Sequence, residues 1–346
     1  MNVSATGYER DSRIIPGHHQ PAVLIDLALS RDLDPHRILR GTGLFYEDLG
    51  SGQVRISPAQ MLRLIDNAET LLGAADSSFL FGQRLLPGHY GPASDALNHA
   101  CTLLQALELL CEFHALLTPL LTPRLMIDEQ QAHLYWLDSC GAGGQRRFLL
   151  EASLTAVVAM ARRLSGERLP WRFQFDYPRP RHIEQYWVHL GEELAFDAQM
   201  PLMSLPLACL QRRLPNASVT AGRVAEAACR AERDARGGAS LLDLLYRHLR
   251  GRLRQSPSLE DVAAAFAMSP ASLKRRLARH GTCFQLQLDL ARKHEALYLL
   301  WIKGASNEQV ASQLGFTDTT NFRRSFKRWT GQTPSGLRGA FAALLR

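Results

Sequence analysis

The chain has 346 residues, 46% of them hydrophobic and 21% charged, which is ordinary for a soluble globular protein and long enough for two domains. No run approaches the ~20 apolar residues that a membrane-spanning helix requires. The net charge of +7 is unevenly placed: residues 238–346 hold 17 Lys and Arg against 7 Asp and Glu, whereas residues 1–237 hold 23 against 26. A basic excess at one end predicts a polyanionic partner there.

The sequence also favours a cytoplasmic protein that does not associate with membranes. The most apolar stretch, 116–127, is interrupted by Pro119, Pro123 and Arg124. The first 13 residues are polar and lack the apolar core of a secretory signal. Six cysteines are scattered without a C-x-x-C pair, which is typical of reduced thiols.

Residues 1–215 mix helical and strand periodicity, which predicts an α+β domain. Helices are predicted at 57–72, 102–117 and 146–164, the first with Ser57 as N-cap and Pro58 in the first turn. Strand-like alternation occurs at 133–137 and 171–177, and 194–196 and 202–205 are expected to add edge strands.

We place a linker at 216–239. It contains an Ala-, Arg- and Glu-rich helix at 218–236 and a flexible Gly237-Gly238 joint. The second domain, 240–346, is predicted to be all-α, and an amphipathic helix is expected at 239–254.

A first helix-turn-helix signal lies at about 258–280. Ser258 and Asp261 form an approximate capping box. A second helix then begins with Ser269 as N-cap and Pro270 in the first helical position. Apolar residues recur at helical spacing in both segments, so each is expected to bury one face.

A second helix-turn-helix signal repeats this plan at about 306–330. Ser306 and Gln309 form a capping box, and Gly315 supplies the turn. The second helix of this unit has three aromatic anchors at i, i+4 and i+7, namely Phe322, Phe326 and Trp329. Two capped units with basic faces are a strong signal for DNA binding.

Residues 284–303 between the units form one continuous helical pattern. At 1.5 Å per residue it would span about 30 Å, close to the ~34 Å repeat of duplex DNA. One monomer could then place both second helices in successive major grooves. Arg292 and Lys293 lie mid-helix, where a salt bridge with Glu295 or Asp289 and a phosphate contact are equally compatible with the pattern.

The outward faces of the two second helices carry residue types that contact DNA. Arg and Lys read guanine edges or bind phosphates, and Thr contacts bases. For any single arginine, contact with phosphate or solvent alone is an open alternative. The predicted DNA-contacting residues are Ser269, Ala271, Ser272, Lys274, Arg275, Arg276 and Arg279 in the first unit, and Thr319, Thr320, Arg323, Arg324 and Lys327 in the second.

Other patterns predict no catalytic site, cofactor or metal. Residues 141–144, Gly-Ala-Gly-Gly, lack the further Gly or Lys-Ser/Thr of a phosphate loop, so a turn between strand and helix is expected. The histidines lack paired ligands at metal spacing. His133 and Tyr135 share one face of their strand and Trp136 lies on the other. Trp136 is thus a candidate wall of a ligand pocket, although core packing is the default.

The C-terminal motifs closely resemble the DNA-binding domain of the AraC/XylS family of bacterial transcription regulators. Mild departures are Cys283, where Ser is commoner, and Leu337, where an aromatic residue is usual. The matching stretches are 262–269, 273–277, 281–284, 314–318, 322–331 and 333–335, with Arg338.

The N-terminal part is similar to the arabinose-binding-type sensor domain of longer family members, such as regulators of ornithine catabolism. The segments that carry this likeness are 41–44, 81–91, 102–110 and 175–178, with His182 and Tyr186.

The resemblance implies a sequence-specific regulator that binds double-stranded promoter DNA and contacts RNA polymerase, with activation the commoner outcome. Its N-terminal domain is expected to bind a small-molecule effector, to form a homodimer, or both. It fixes no pocket residues. One alternative is a DNA-binding regulator controlled by abundance or by a protein partner. A less favoured one is an enzyme fused to a DNA-binding module, such as an alkyltransferase, which would need a reactive thiol at Cys101 or Cys140.

Overall fold

The computed structural model describes residues 7–235 and 238–337, and its contacts divide the chain into two compact units. The first unit comprises Gly7–Ser240, and the second begins at Leu241. The first combines helices with two sheets, whereas the described part of the second is entirely helical. The predicted pairing of an α+β domain with an all-α domain is confirmed.

Twelve helices occur in the described part of the first unit. They are α1 (Gln20–Leu29), α2 (Pro35–Ile38), α3 (Tyr46–Gly50), α4 (Pro58–Leu72), α5 (Ser77–Leu85), α6 (Pro92–Asn98), α7 (Leu103–Glu112), α8 (His114–Leu117), α9 (Arg146–Ser165), α10 (Ile183–His189), α11 (Leu207–Leu210) and α12 (Val219–Ala235).

The strands of this unit form a two-stranded antiparallel sheet and a five-stranded mixed sheet. The larger sheet has the order β3-β4-β7-β5-β6, and only β5 and β6 pair in parallel. The strands are β1 (Ile15–Pro16), β2 (Arg55–Ile56), β3 (Leu121–Ile127), β4 (Gln131–Asp138), β5 (Arg172–Gln174), β6 (Leu194–Ala195) and β7 (Leu202–Pro206).

Two strand predictions need correction. The segment at 202–205 was expected at a sheet edge, but β7 lies between β4 and β5 and pairs with both. Strand β3, which contains Pro123, was not predicted from the sequence. Strand β3 lies at the edge of the sheet. A proline has no backbone N–H to donate, and it is tolerated on the side of an edge strand that has no neighbouring strand.

Helices α5 and α9 pack closely at the centre of the first unit. A Cβ atom at Gly82 would lie 2.4 Å from the Ala152 carbonyl oxygen, so only glycine allows this approach. Around this crossing the core includes Phe79, Phe81 and Phe148, all of them buried.

The predicted linker at 216–239 is largely part of the first unit. Its helix is present as α12, and this helix packs against α6 through the buried residues Gly222, Ala225 and Cys229. The backbone N–H of Tyr8 then donates to the Ala239 carbonyl at 3.0 Å. Gly237 lies outside the described residues, and Gly238 has a left-handed φ of +68°. The described residues 238–240 therefore belong to the first unit.

The described helices of the second unit follow the predicted order with small changes of length. The amphipathic helix expected to reach Arg254 ends at Arg250, and a 3-10 turn covers Leu253–Gln255. The helices are α13 (Leu241–Arg250), α14 (Leu259–Ala265), α15 (Pro270–Arg279), α16 (Phe284–Trp301), α17 (Asn307–Gln313) and α18 (Thr319–Thr330).

Candidate nucleic-acid interface

Local capping fixes the first helix-turn-helix unit. The Ser258 hydroxyl accepts from the Asp261 N–H at 3.1 Å, and the Asp261 carboxylate accepts from the Ser258 N–H at 3.0 Å. The next helix, α15, starts at Ser269, whose hydroxyl accepts from the Ser272 N–H at 3.1 Å. Ser269 therefore has a structural role at this helix start in addition to its predicted DNA contact.

Helix α15 presents a basic face opposite its buried Leu273 and Leu277. Arg276 differs from its neighbours because it is only half-exposed and its Nη1 lies 3.1 Å from the Met268 sulfur, so it points back to the turn. Ser272 is also half-buried. The exposed members of the predicted set are Ser269, Ala271, Lys274, Arg275 and Arg279.

The second unit begins with the predicted capping box and a tight glycine turn. The Ser306 hydroxyl accepts from the Gln309 N–H at 3.2 Å, and the Gln309 side chain accepts from the Ser306 N–H at 2.7 Å. Gly315 has φ +74°, and a Cβ there would lie 2.6 Å from the Leu253 carbonyl oxygen. The turn thus needs glycine both for its backbone angle and for space.

Helix α18 presents the second basic face. Asp318 caps it by accepting from the Asn321 N–H at 2.7 Å, while Phe322 and Phe326 are buried. Trp329, predicted as a third anchor, is half-buried and packs at 6.0 Å from the Phe316 ring. Of the predicted contacts Thr319 is half-buried, and the exposed ones are Thr320, Arg323, Arg324 and Lys327.

Asn321 is a further candidate that the sequence analysis did not select. It is exposed in the first turn of α18, and its amide nitrogen is 2.7 Å from the Asp318 carboxylate. Asn side chains make bidentate contacts to adenine, so this position suits base recognition. Its position in the first turn of the second helix of the unit could have identified it as a candidate from the sequence.

Helix α16 is joined to both of its neighbours by ionic contacts. Arg250 of α13 pairs with Glu295 at 2.6 Å, and Arg328 of α18 pairs with Asp289 at 3.2 Å. Arg292 lies over the Phe316 ring at 5.1 Å, and its partial burial lowers the pKa of its guanidinium. Glu295 and Asp289 thus each pair with an arginine of another helix, and Arg292 packs against Phe316.

The remaining candidates lie in the first unit. Trp136 is 4% exposed in β4, and its role as a ligand wall stays a prediction. The glycine-rich segment at 141–144 forms the predicted turn, where the Asp138 carboxylate accepts from the N–H groups of Cys140, Gly141 and Ala142 at 2.8–2.9 Å. A phosphate bound at this turn would need these N–H groups as donors, but they already donate to Asp138.

Within 7–235 and 238–337 no group of three or more His, Cys, Asp or Glu is arranged to hold a metal ion. No helix of the same ranges is both long and apolar enough to span a bilayer.

Comparison with known proteins gives matches in both units. Residues 33–214 match the arabinose-binding domain of AraC transcription regulator, and residues 262–340 match a helix-turn-helix domain. The ornithine utilization regulator of Pseudomonas aeruginosa is 29% identical over 92% of this chain and 94% of its own length. The regulator VqsM of the same species is 36% identical over 25% of this chain and 27% of its own.

Among solved structures, the transcriptional regulator CdpR from Pseudomonas aeruginosa aligns with 92% of this chain and 98% of its own, at 22% identity and a TM-score of 0.41. The family matches cover the two described units in the order in which they occur. The chain is a DNA-binding transcription regulator of the AraC family.

Proposed function

We propose that this regulator acts in the cytoplasm as a homodimer whose first unit binds a small effector and whose second unit reads two successive major grooves. The observation that carries the proposal is the pair of exposed basic faces on α15 and α18, separated along the chain by an unbroken α16. Eighteen residues at 1.5 Å each make α16 about 27 Å long. This length is close to one turn of duplex DNA.

Charge and exposure support these faces as DNA contacts. Lys274, Arg275 and Arg279 follow one side of α15, and Arg323, Arg324 and Lys327 follow one side of α18. The described structure gives these six side chains no ion pair, whereas Arg250 and Arg328 in the same unit are neutralised by acidic partners. Unpaired cations on a recognition helix bind phosphates and guanine edges at the lowest desolvation cost.

The test is a DNA-binding titration of the full chain on a duplex selected by the wild type from a random 30-base-pair pool. Arg275→Ala with Arg323→Ala should weaken binding at least tenfold, because each base or phosphate contact contributes about 1–3 kcal/mol. A matched control is Arg172→Ala with Arg181→Ala, two exposed arginines of the first unit, which should bind as the wild type does. Unchanged affinity of the first double variant would reject both side chains as readers.

The exposed side of α12 supports the proposed homodimer. Beyond the face packed on α6, it exposes Val224, Ala227, Ala228 and Ala231, with Val224 68% exposed. Two antiparallel copies centred between 227 and 228 would oppose Val224 to Ala231 and Ala227 to Ala228. The stripe is thus complementary to itself about a two-fold axis.

Sedimentation of the full chain tests this surface. Val224→Arg places a cation in the apolar stripe and should shift the chain toward monomer. Val188→Arg is a matched control, since Val188 is 72% exposed on α10, away from α12 in sequence. If Val224→Arg sediments as the wild type does, the proposed dimer surface is wrong.

Effector control and promoter activation complete the proposal. The resemblance to arabinose-binding-type domains supports an effector, and family behaviour supports activation through contact with RNA polymerase. The enzyme alternative is disfavoured at Cys140, because burial raises the pKa of this thiol well above its usual value and keeps it protonated. A thermal-shift screen of amino acids, fatty acids and aromatic acids tests this part. A compound that raises the Tm of the full chain would support control by an effector over control by abundance.

A further inference from the structure

A pocket with a mixed polar and apolar lining lies in the first unit. It is formed by the C-terminal half of α9, the segment 167–171 that leads to β5, and the end of α10. Its volume is about 90 Å³, the liquid volume of about three water molecules, and it is partly open to solvent. It therefore has room for one small polar group, and a longer ligand can extend through the opening.

The polar part of the lining is basic. Arg162 and Arg168 line the pocket, both are exposed, and neither has an ion pair among the described residues. The Arg168 Nη2 is 3.9 Å from where a Cβ atom of Gly191 would lie, so its guanidinium is at the end of α10. Glu167, the acidic residue among the described lining residues, pairs with Arg212 at 3.1 Å. Two positive charges are thus left to attract an anion into the pocket.

His189 adds a hydrogen-bond donor to the lining. The Gln83 amide nitrogen lies 3.0 Å from the His189 Nδ1, and the imidazole stacks on the Phe79 ring at 5.1 Å between centroids. Because an amide nitrogen donates and does not accept, Nδ1 is the acceptor, and the neutral ring carries its proton on Nε2. Burial lowers the pKa of His189, which favours this neutral form. The residue therefore offers one N–H group to a ligand without adding a charge.

The apolar part of the lining restricts which anion fits. Val158, Leu169 and Leu190 contribute aliphatic side chains that have no donor to offer. A phosphate ion, which carries oxygens on every side, would lose hydration against them without a replacement. A carboxylate presents its two oxygens to the arginines and its α-carbon to the aliphatic side chains. An ammonium group is excluded, because the charges of the lining would repel it.

We infer that this pocket binds the carboxylate group of a small organic acid, with Arg162 and Arg168 as its charge partners and His189 as a further donor. This ligand site does not depend on DNA binding. Its assignment as the effector site rests on the proposed function and gives the effector a chemical class.

The experiment measures ligand binding to the full chain by ligand-observed NMR at constant ionic strength. The probes are acetate, acetamide, which has the shape of acetate without its charge, and methylammonium. We expect acetate to bind the wild type, acetamide to bind at least tenfold more weakly and methylammonium not to bind. Inorganic phosphate, added as a competitor at the acetate concentration, should displace less than half of the bound acetate.

Substitutions assign the binding to this pocket. Arg168→Gln removes one charged donor and should weaken acetate binding about tenfold. Arg163→Gln is the matched control, because Arg163 is also an exposed arginine near the end of α9 but does not line the pocket. It should bind acetate as the wild type does. Both side chains are exposed, so both variants should keep the Tm of the wild type.

The same samples test the effector assignment through DNA affinity. Saturating acetate should change the affinity of the wild type and of Arg163→Gln for the selected duplex at least twofold, and this change should be lost in Arg168→Gln. Acetate binding without any such change would refute the effector assignment. No acetate binding to the folded wild type, or equal binding by Arg168→Gln or of acetamide, would overturn the ligand site, and stronger binding of phosphate would overturn its carboxylate class. Loss of DNA binding in the wild type would count against the proposed function and leave the NMR results intact.

Discussion

The turn at Gly315 offers a stringent test of how the second reading unit is built, because a matched control exists in the same unit. Gly315 and Gly331 have nearly equal φ angles, +74° and +72°. A Cβ at Gly331 meets nothing within 4 Å, whereas a Cβ at Gly315 would lie 2.6 Å from the Leu253 carbonyl and 3.0 Å from that of Arg254. Alanine would therefore suffer the same backbone strain at both positions, but only at Gly315 would its Cβ atom clash with neighbouring atoms.

The expected free energies follow from this difference. Gly331→Ala should cost about 1–2 kcal/mol, the penalty of a left-handed conformation for an L-residue. Gly315→Ala adds overpacking against backbone atoms that cannot rotate away, about 1–3 kcal/mol more, for a total of about 2–5 kcal/mol. The loss should fall on the turn between α17 and α18 and on the 3-10 segment Leu253–Gln255.

Hydrogen exchange by mass spectrometry on the full chain measures these local losses. Peptides from α17 and α18 should lose markedly more protection in Gly315→Ala than in Gly331→Ala, and peptides of the first unit should be unchanged in both. Equal losses of protection in the two variants would refute the steric part of the reasoning and leave only the backbone angle.

Two further outcomes are expected. Lys327→Ala should reduce the slope of log affinity against log salt by about 1, whereas Arg172→Ala should leave the slope unchanged; a constant slope for Lys327→Ala would show that this ammonium contacts no phosphate. Burial lowers the pKa of His189, against the opposing charge of Asp76, and its Nδ1 lies 3.0 Å from the Gln83 amide nitrogen, so folding favours the neutral ring. Because the unfolded chain then binds the proton more readily, stability should fall as pH drops below about 6.5, and the difference in Tm between wild type and His189→Phe should change between pH 5 and pH 7.5. A pH-independent difference would contradict this.

Local signals in the sequence predicted the second unit well. The Ser258 and Ser306 capping boxes are present where the pattern placed them, since a cap depends only on residues three positions apart. The orientation of most recognition-helix residues also followed from periodicity. Arg276 did not follow, because its contact with Met268 depends on how the preceding turn folds back.

Non-local pairing limited the prediction of the first unit. The five residues of β7 gave no indication of two partners, and those partners come from distant parts of the chain. In β3, Pro123 argued against a strand in the sequence, although a proline is compatible with a strand at the edge of a sheet. The packing of α12 on α6 depends on small residues such as Gly222 and Ala225, which leave no periodic signal of their own.

The unbroken α16 has a consequence for the regulated promoters. Each added base pair moves a contact about 3.4 Å along the duplex and turns it by about 34–36°, and a stiff helix held by Glu295 and Asp289 cannot follow such a change. Point substitutions within an operator should therefore weaken repression or activation in graded steps, whereas inserting half a helical turn between its two halves should silence the response altogether.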